Sequence, residues 1–575
     1  MPTITSAPSS TVQEKLNRMI QLKARKEPWL PVYQLLGEFI HTRKQNFTST
    51  QIPGDFLMRE IFDSMGPKSA KTSASALLGM LWPANARKIQ LTKPRSLADT
   101  SEHKKYYDDI TDVVHQVLDD PKGRLSSALS EYMLDQVVFG TSGIEPFPDE
   151  NLGVRFRAWG VKELHIAEGR AGEVDTIYLL LRFTVQRIVS EYGLDKVSKR
   201  VFDLYNNSKF DEMIDLQISI EPRRQRTGTQ SNQDLEFESV HIEIESRHIL
   251  RESGFDELPI KIGRFVKLLG EEYARAPGMD AIPDILEANA IWESVTIAIE
   301  KNLDPPLGVL DDGRLGAGEI DTSAGAVNVF NIAGRAGETN PVFQINTVGE
   351  IKSTVNLLEK LAQNIADHFF IDRLLDFNNE VQMTLGEAQL RNKLRHNTLG
   401  SILNNQITDV FNTVIERTFN LLFAQGKLGV IRGSVEHTMA VFEGKEPIII
   451  PDKVAQLMAR GDDAFGIEYF TPAMRIIQAD EAEGIFRAWE FAILLSGTKA
   501  DAADALDSDI SIRRFTELSG APNTISRSQE MIDEIREERD RQQQAVREAE
   551  LARQQSETMR NVGQSGLVPT QKQAA

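Results

Sequence analysis

Residues 271–310 read EEYARAPGMDAIPDILEANAIWESVTIAIEKNLDPPLGVL, and this stretch decides how the chain is put together. Gly278 closes a turn behind Ala276-Pro277. Pro283 suits the first turn of a helix, where the amide it lacks has no intrahelical partner. That helix runs to about Leu303, where Pro305-Pro306 stop it, over about 20 residues or roughly 30 Å. Along it Ile285, Ala288, Ile291, Trp292, Val295 and Ile299 recur at helical spacing. Such a stripe serves equally a helix buried in its own chain and a helix packed between copies of the chain.

Upstream, the pattern turns to strands. Val154, Phe156 and Ala158, then Leu164 and Ile166, then 174–181 read as short strands, with 169–172 as hairpin punctuation. Helical spacing follows over 183–192 and 195–206, and strands return at 214–220 and 235–244, joined by the polar loop 223–234. Residues 247–266 read as extended, with a break at Pro259. Nearer the start, 12–26, 55–82, 103–118 and 124–139 are helical, 88–93 alternates like a strand, and Gly140-Thr141-Ser142-Gly143 reads as a loop. Residues 1–10 have the composition of a mobile end.

Downstream, 307–345 is glycine-rich with short strands, and long helical patterns cover 350–376 and 385–425 with a break at 377–384. Helices resume at 452–459, 471–479 and 481–496. Residues 527–560 are almost wholly Arg, Glu, Asp, Gln and Ala, strong helix formers with only a thin apolar stripe (Met531, Ile535, Val546, Ala549). A stripe that thin does not hold a lone helix, so neighbouring copies are expected beside it. Residues 561–575 read as a disordered tail. The fold class is mixed α+β, mainly helical, and 575 residues suggest three or four structural units.

Composition excludes much. The chain carries 84 acidic against 65 basic residues, a net −19, with 41% hydrophobic residues and no cysteine. Disulfides, thiolate metal sites and cysteine nucleophiles are thereby ruled out, and assembly in a reducing cytoplasm is expected. No window holds eighteen uninterrupted apolar residues, so no membrane span is expected, and no charged segment followed by an apolar run opens the chain. A protein that grips DNA needs a basic stripe to displace counterions. An acidic chain suits a surface that DNA slides past, although acidity for solubility is the simpler account of the charge taken alone.

Signatures of catalysis are missing. There is no G-x-x-x-x-G-K-[ST], no H-E-x-x-H and no G-x-S-x-G, and Gly313 to Gly318 (GRLGAG) lacks a strand–turn–helix setting. His241 alternates with Glu243 and Glu245, which reads as a solvated strand face before it reads as a metal site. Asp108, Asp109 and Asp112 fall on the polar face of a helix. No catalytic residue, metal or cofactor is expected.

Several stretches together resemble the head-to-tail connecting, or portal, proteins of short-tailed bacteriophages. They are SALLGMLWP (75–83), YMLDQVVFGT (132–141), the stretch 271–310, VQMTLGE (381–387), IEYFTPAMRIIQ (467–478) and ELSGAPNTISRSQEMIDEIREER beginning at 517. Each is weak alone; their order and spacing from about residue 30 to 545 carry the likeness. In the tyrosine-to-Pro-Gly turn, Ala274 stands where the family pattern has glycine.

The resemblance implies a twelve-subunit ring with wing, stem, clip and crown regions around an axial channel for double-stranded DNA. It places an N-terminal wing at 1–182, a first stem helix at 183–199, a mixed-strand clip at 200–270 and a second stem helix at 271–304. Wing strands follow at 305–350, a long helix and tunnel loop at 351–385, wing helices at 386–450, a crown at 451–526, and a crown or barrel helix at 527–560. Ile285, Ile291, Trp292, Val295 and Ile299 then pack stem against stem. Asn378, Asn379, Glu380, Val381, Gln382 and Met383 form the tunnel loop, uncharged except for one acid, as passage without phosphate binding requires. The implied partners are a terminase large subunit that supplies the ATPase, a tail adaptor, major capsid and scaffolding proteins, and internal core proteins. The implied place is the portal vertex of the virion, after assembly in the host cytoplasm. Another structural virion protein (tail or internal core), and more remotely a metal-dependent nuclease, remain the alternatives.

Overall fold

Helices form where the apolar spacing places them, and the strands between them are set by a few close backbone approaches. The computed structural model describes residues 10–42, 44, 46–48, 61–84, 87–94, 96–97, 100–224, 234–311, 321, 323–331, 342–345, 351–375, 399–431, 448–460, 464–496, 506–518 and 529–564. Helix makes up 56% of the structure, so helices dominate a mixed α/β fold. The chain divides into two units, Met1–Asn85 with Val117–Gln425 and Ala86–Gln116 with Gly426–Ala575.

In the first unit, helices α1 (Ser10–Lys26), α2 (Leu30–Phe39) and α3 (Met65–Leu81) precede α5 (Leu125–Phe139), with α4 (Ser101–Asp119) lying mostly in the second unit. Helix α5 stops at Gly140, whose φ of +80° ends the helix and whose amide bonds Gln136 O at 3.0 Å. Strand β2 (Thr141–Asp149) then begins at once, where the sequence suggested a loop. The glycine alone makes the turn. The hydroxyls of Thr141 and Ser142 are buried but used: Thr141 Oγ1 accepts from the Ala274 amide (2.9 Å), and Ser142 Oγ donates to Tyr132 O (3.0 Å). Pro146 and Pro148 fit this strand because their nitrogens face away from β3 (Gly153–Gly160). On that same side the Pro146 carbonyl accepts from Arg417 Nε at 3.0 Å.

Two antiparallel sheets result. One has the order β3-β2-β9, with β9 at Lys261–Arg264. The other runs β4 (Leu164–Glu168), β5 (Val174–Thr184), β6 (Met213–Pro222), β7 (Phe237–Glu243), β8 (His248–Phe255). Strand β5 pairs directly with β6, so residues 164–184 and 213–255 form one sheet. Helix α1 belongs to it as well: Met19 and Leu22 pack on Ala167 and Tyr178, and Val12 on Val240 and Ile242. The stretch 183–199 is not one helix. Helix α6 is Val185–Tyr192, Gly193 (φ +87°) ends it, and α7 is Lys199–Asn206, capped by Ser198.

The outer edge of β4 is closed by side chains. Lys26 Nζ, buried, donates to the carbonyls of Val161, Lys162 and Leu164, and the Ile166 amide reaches Tyr273 OH at 3.4 Å. An edge strand thus meets no unpaired neighbour on that side. Lys15, also buried, bridges β6 and β7 through Glu221 and Glu238.

Helix α8 spans Pro277–Leu303, longer at its start than the sequence suggested. Pro277, not Pro283, occupies the first turn; Pro283 lies inside and deprives the Met279 carbonyl of its usual donor. Helix α9 (Ile351–His368) ends at Phe369-Phe370, where Phe370 adopts φ +57°, so the expected helix over 350–376 is broken before α10 (Ile371–Leu375). In the second unit, β1 (Ile89–Thr92) pairs antiparallel with Gly466–Tyr469. The patterns at 471–479 and 481–496 form one helix, Pro472–Ser496, and the last helix runs Gln529–Gln564, four residues into the expected tail.

Substituting Gly140→Ala is expected to cost about 3 kcal/mol or more in denaturant unfolding. Its φ is positive, and a Cβ there lies 2.4 Å from Ala274 O. Gly79→Ala is the control: it sits in α3 with nothing within 4 Å and should be neutral or stabilising by up to about 1 kcal/mol.

Candidate functional site

Helix α8 divides into a half held by its own chain and a half that is not. In the first half, Ile285 is 1% exposed and lies against α3, where a Cβ on Gly66 would come 3.0 Å from its Cδ1. Buried Asn289 accepts the amides of Phe62 (2.7 Å) and Asp63 (3.2 Å) on Oδ1. Beyond it Val295 is still buried and Ile291 half-buried. Trp292, Ile297 and Ile299 are exposed, and Leu303 is 82% exposed. The expected packing set is therefore divided by cover: Ile285 and Val295 are buried in their own chain, whereas Trp292 and Ile299, on the same face of the helix as Ile285, are exposed. Leu303 continues the same stripe one turn beyond Ile299, and Ile297 lies on another side of the helix; neither was in the expected set. Contiguous apolar side chains of this size mark a surface built to be covered.

The same holds in the second unit. Phe486, Phe491 and Leu494 on Pro472–Ser496 are exposed, as are Ile510 and Ile512 on Ser508–Leu518. Arg536 pairs with Asp509 near the start of the last helix, and residues 536–557 are exposed throughout. At 36 residues the helix is roughly 54 Å long. Asn378, Asn379, Glu380, Val381, Gln382 and Met383 lie outside the described residues, as does Gly313 to Gly318.

The candidate chemistry read from sequence resolves into structure. His241 is neither a metal ligand nor on a solvated face: its Nδ1 lies 2.8 Å from Tyr192 OH on α6, and burial holds its pKa down to about 4. Glu243 is fully buried and accepts from Ser246 Oγ, so this side of β7 is not the solvated face that its polar residues suggested. Asp108 accepts from Gln90 Nε2 (2.7 Å), with burial raising its pKa, and exposed Asp112 pairs with Arg87 (3.3 Å). These carboxylates tie α4 to β1. Among the described residues no three His, Asp or Glu side chains could hold one metal ion.

Comparison with known proteins agrees over the chain's length. A family model described as bacteriophage head to tail connecting protein matches residues 12–441. The portal protein of Salmonella phage epsilon15 is 24% identical over 557 residues, covering 94% of this chain and 93% of that protein. The probable portal protein of Bordetella phage BPP-1 is 22% identical over 567 residues, covering 97% and 96%. Among solved structures, a chain from the virion of a native gene transfer agent particle covers 68% of this chain and 92% of its own length. It does so at 12% identity and a TM-score of 0.30.

One buried acid on α5 gives the unit a pH signature. Asp135 pairs with Lys44 at 2.5 Å, yet desolvation pushes its pKa up to about 6. Between about pH 4 and pH 6 the folded chain keeps this proton and the unfolded chain gives it up, so its contribution to stability falls as pH rises. Asp135→Asn should remove that slope, by roughly 2–3 kcal/mol across the window, when unfolding of the two proteins is compared at pH 4.5 and 6.5.

Proposed function

The chain belongs to the bacteriophage head to tail connecting proteins, and from that premise we propose how its surfaces build the channel. It is a portal protein of a phage virion, and the role of its family is the channel through which DNA is packaged and ejected. Portal proteins are ring-forming components of a capsid vertex and structural in character. Within that role, the ring is of twelve copies, with the outer half of α8 as the stem contact between neighbours. Trp292, Ile297, Ile299 and Leu303 carry this reading: they are apolar, exposed and confined to the half of α8 that its own chain leaves uncovered.

The channel is a passage and not a grip. Each copy brings a net −19, so a ring of twelve repels the duplex along its length. The 378–383 segment, with Glu380 its one charge, faces the axis in this reading. The chain has no Walker-type phosphate loop, so a terminase motor docks on the ring during packaging and a tail adaptor takes its place later. Capsid, scaffolding and internal core proteins bind the outer and upper regions. The last helix gathers with its copies into a bundle, which supplies the neighbours its thin stripe needs.

Mass photometry and electron microscopy of the purified chain should show closed rings with an axial hole. The double variant Trp292→Glu, Ile299→Glu should remain folded by circular dichroism and shift the chain at least tenfold toward monomer, since each charge falls in a desolvated contact. Monomers of the unmodified chain that cleave DNA with a divalent metal would overturn the reading in favour of a nuclease. The rings alone should hydrolyse no ATP.

A further inference from the structure

An open groove of about 470 Å³ lies where the start of α2 meets the hairpin that precedes α8. Its floor is Trp29, with Pro28 and Val32 beside it and the buried Tyr273 behind. The floor is rigid. Trp29 stacks on buried Tyr33 (ring centroids 6.0 Å), which meets Phe139 edge-on (5.9 Å), so the groove wall continues into the core. Arg275 lies over the Trp29 ring, 4.8 Å from its centre. The rim charges cancel in pairs: Arg275 holds Glu271 through two hydrogen bonds, and Arg25 holds Glu272.

The same hairpin carries an apolar tip. Its base is a bridge between Val266 and Arg275, with amide-to-carbonyl distances of 3.2 and 2.9 Å. Its end is a tight turn in which the Glu271 amide bonds Leu268 O (3.2 Å). Gly270, at φ +86°, takes the position that a type II turn gives to glycine. This fixed turn leaves Leu268 46% exposed and Leu269 104% exposed, while Lys267 is drawn back to Glu168 and Gly172 O. A leucine pair held in water by a closed, hydrogen-bonded turn is displayed for contact, and not merely left uncovered.

We propose that Leu268 and Leu269 of one copy seat in the Trp29 groove of the next copy around the ring. The inference rests on the ring reading given above and names a contact that α8 does not supply. Three observations select a second copy as the occupant. The groove has no net charge at its rim and the tip has none at all, so the two surfaces match and a strongly charged peptide is excluded. Both surfaces are preformed, which spares the ordering cost of binding. Each chain carries one knob and one hole, so each copy in a ring can give one such contact and receive one. Tryptophan, tyrosine and arginine around the groove are the residues that dominate such contacts.

The absence of cysteine makes the test direct. Leu269→Cys and Val32→Cys, placed together in one chain and assembled, should give a disulfide ladder of covalent multimers on a non-reducing gel. Chains carrying one substitution each, mixed and co-assembled, should give covalent dimers only. Leu269→Asp, at a fully exposed position, should leave the monomer folded and move ring dissociation to at least tenfold higher protein concentration. Rings that form without any intersubunit disulfide overturn the contact alone. A cysteine at 32 that stays open to maleimide in assembled rings until another virion protein is added also overturns it, assigning the groove to that protein. An unmodified chain that forms no rings overturns the ring reading and this contact with it.

Discussion

Two backbones crossing at van der Waals distance hold the first unit together: the end of α5 at Val138-Phe139-Gly140 and the start of α8 at Ala274 to Gly278. A Cβ on Gly278 would come 2.8 Å from Val138 O, and one on Gly140 would come 2.4 Å from Ala274 O. No side chain fits on either side of the crossing. Because the backbones touch, the groups around them can be satisfied locally. The Phe265 amide bonds Gly140 O (2.9 Å), and Gln136 Nε2 bonds Gly263 O (2.7 Å). Tyr132 OH bonds Gln406 Oε1 (2.5 Å). Gly263 is constrained in its turn, since a Cβ there would lie 1.8 Å from Tyr132 OH. One crossing therefore fixes α5, β2, β9, α8 and the helix that carries Gln406 relative to one another.

From that fixed point the protein extends into surfaces it does not complete. The inner half of α8 is anchored by Ile285 and Asn289, so its outer half projects with a set direction and an uncovered apolar face. The hairpin at 266–275 is anchored at its other end by Arg275 and Tyr273, so the Leu268-Leu269 tip is set as firmly. Rigidity inside and uncovered apolar surface outside are what a ring subunit needs, because association then costs little ordering. A net −19 on each copy is consistent with the proposed passage of DNA without capture.

Much of this was legible in the residues. Gly140 marks a turn in any reading, and the periodicity of 124–139 and 284–303 gave both helices, whereas Gly278, expected to close a turn, lies in the first turn of α8. The likeness to phage portals lies in those same stretches, YMLDQVVFGT and the Pro-Gly turn, and the structure explains why they go together: they are the two sides of one crossing. Ala274 replaces the glycine of the family pattern without disturbing the turn. Its methyl is accommodated in full burial, its amide bonds Thr141, and the missing side chain that matters is that of Gly140 across from it. Three features escaped. Thr141 and Ser142 looked like loop residues because hydroxyls favour turns, yet both are buried, Thr141 against the distant Ala274 amide and Ser142 against Tyr132 and Gln136 of the preceding helix. Pro277 took the first-turn place given to Pro283, and 183–199, one stem helix by the resemblance, is broken at Gly193, where the periodicity already ended its first helix.

By itself the sequence determined the local and the excluded: helix and strand periodicity, the glycine turns, the acidic balance, the absence of thiols and of a phosphate loop, and membership of a phage family. These depend on neighbours within a few residues or on composition, which sequence displays directly. Only the tertiary structure decided that α1 packs on a sheet in which β4–β5 pair with β6–β8, that His241 and Glu243 are interior, and that Ile285 is covered by its own chain while Trp292, on the same face of α8, is left exposed. An apolar stripe states that a face is to be buried but not by which partner, and that choice is made by contacts between residues more than a hundred positions apart, as Asn289 with Phe62 and Thr141 with Ala274.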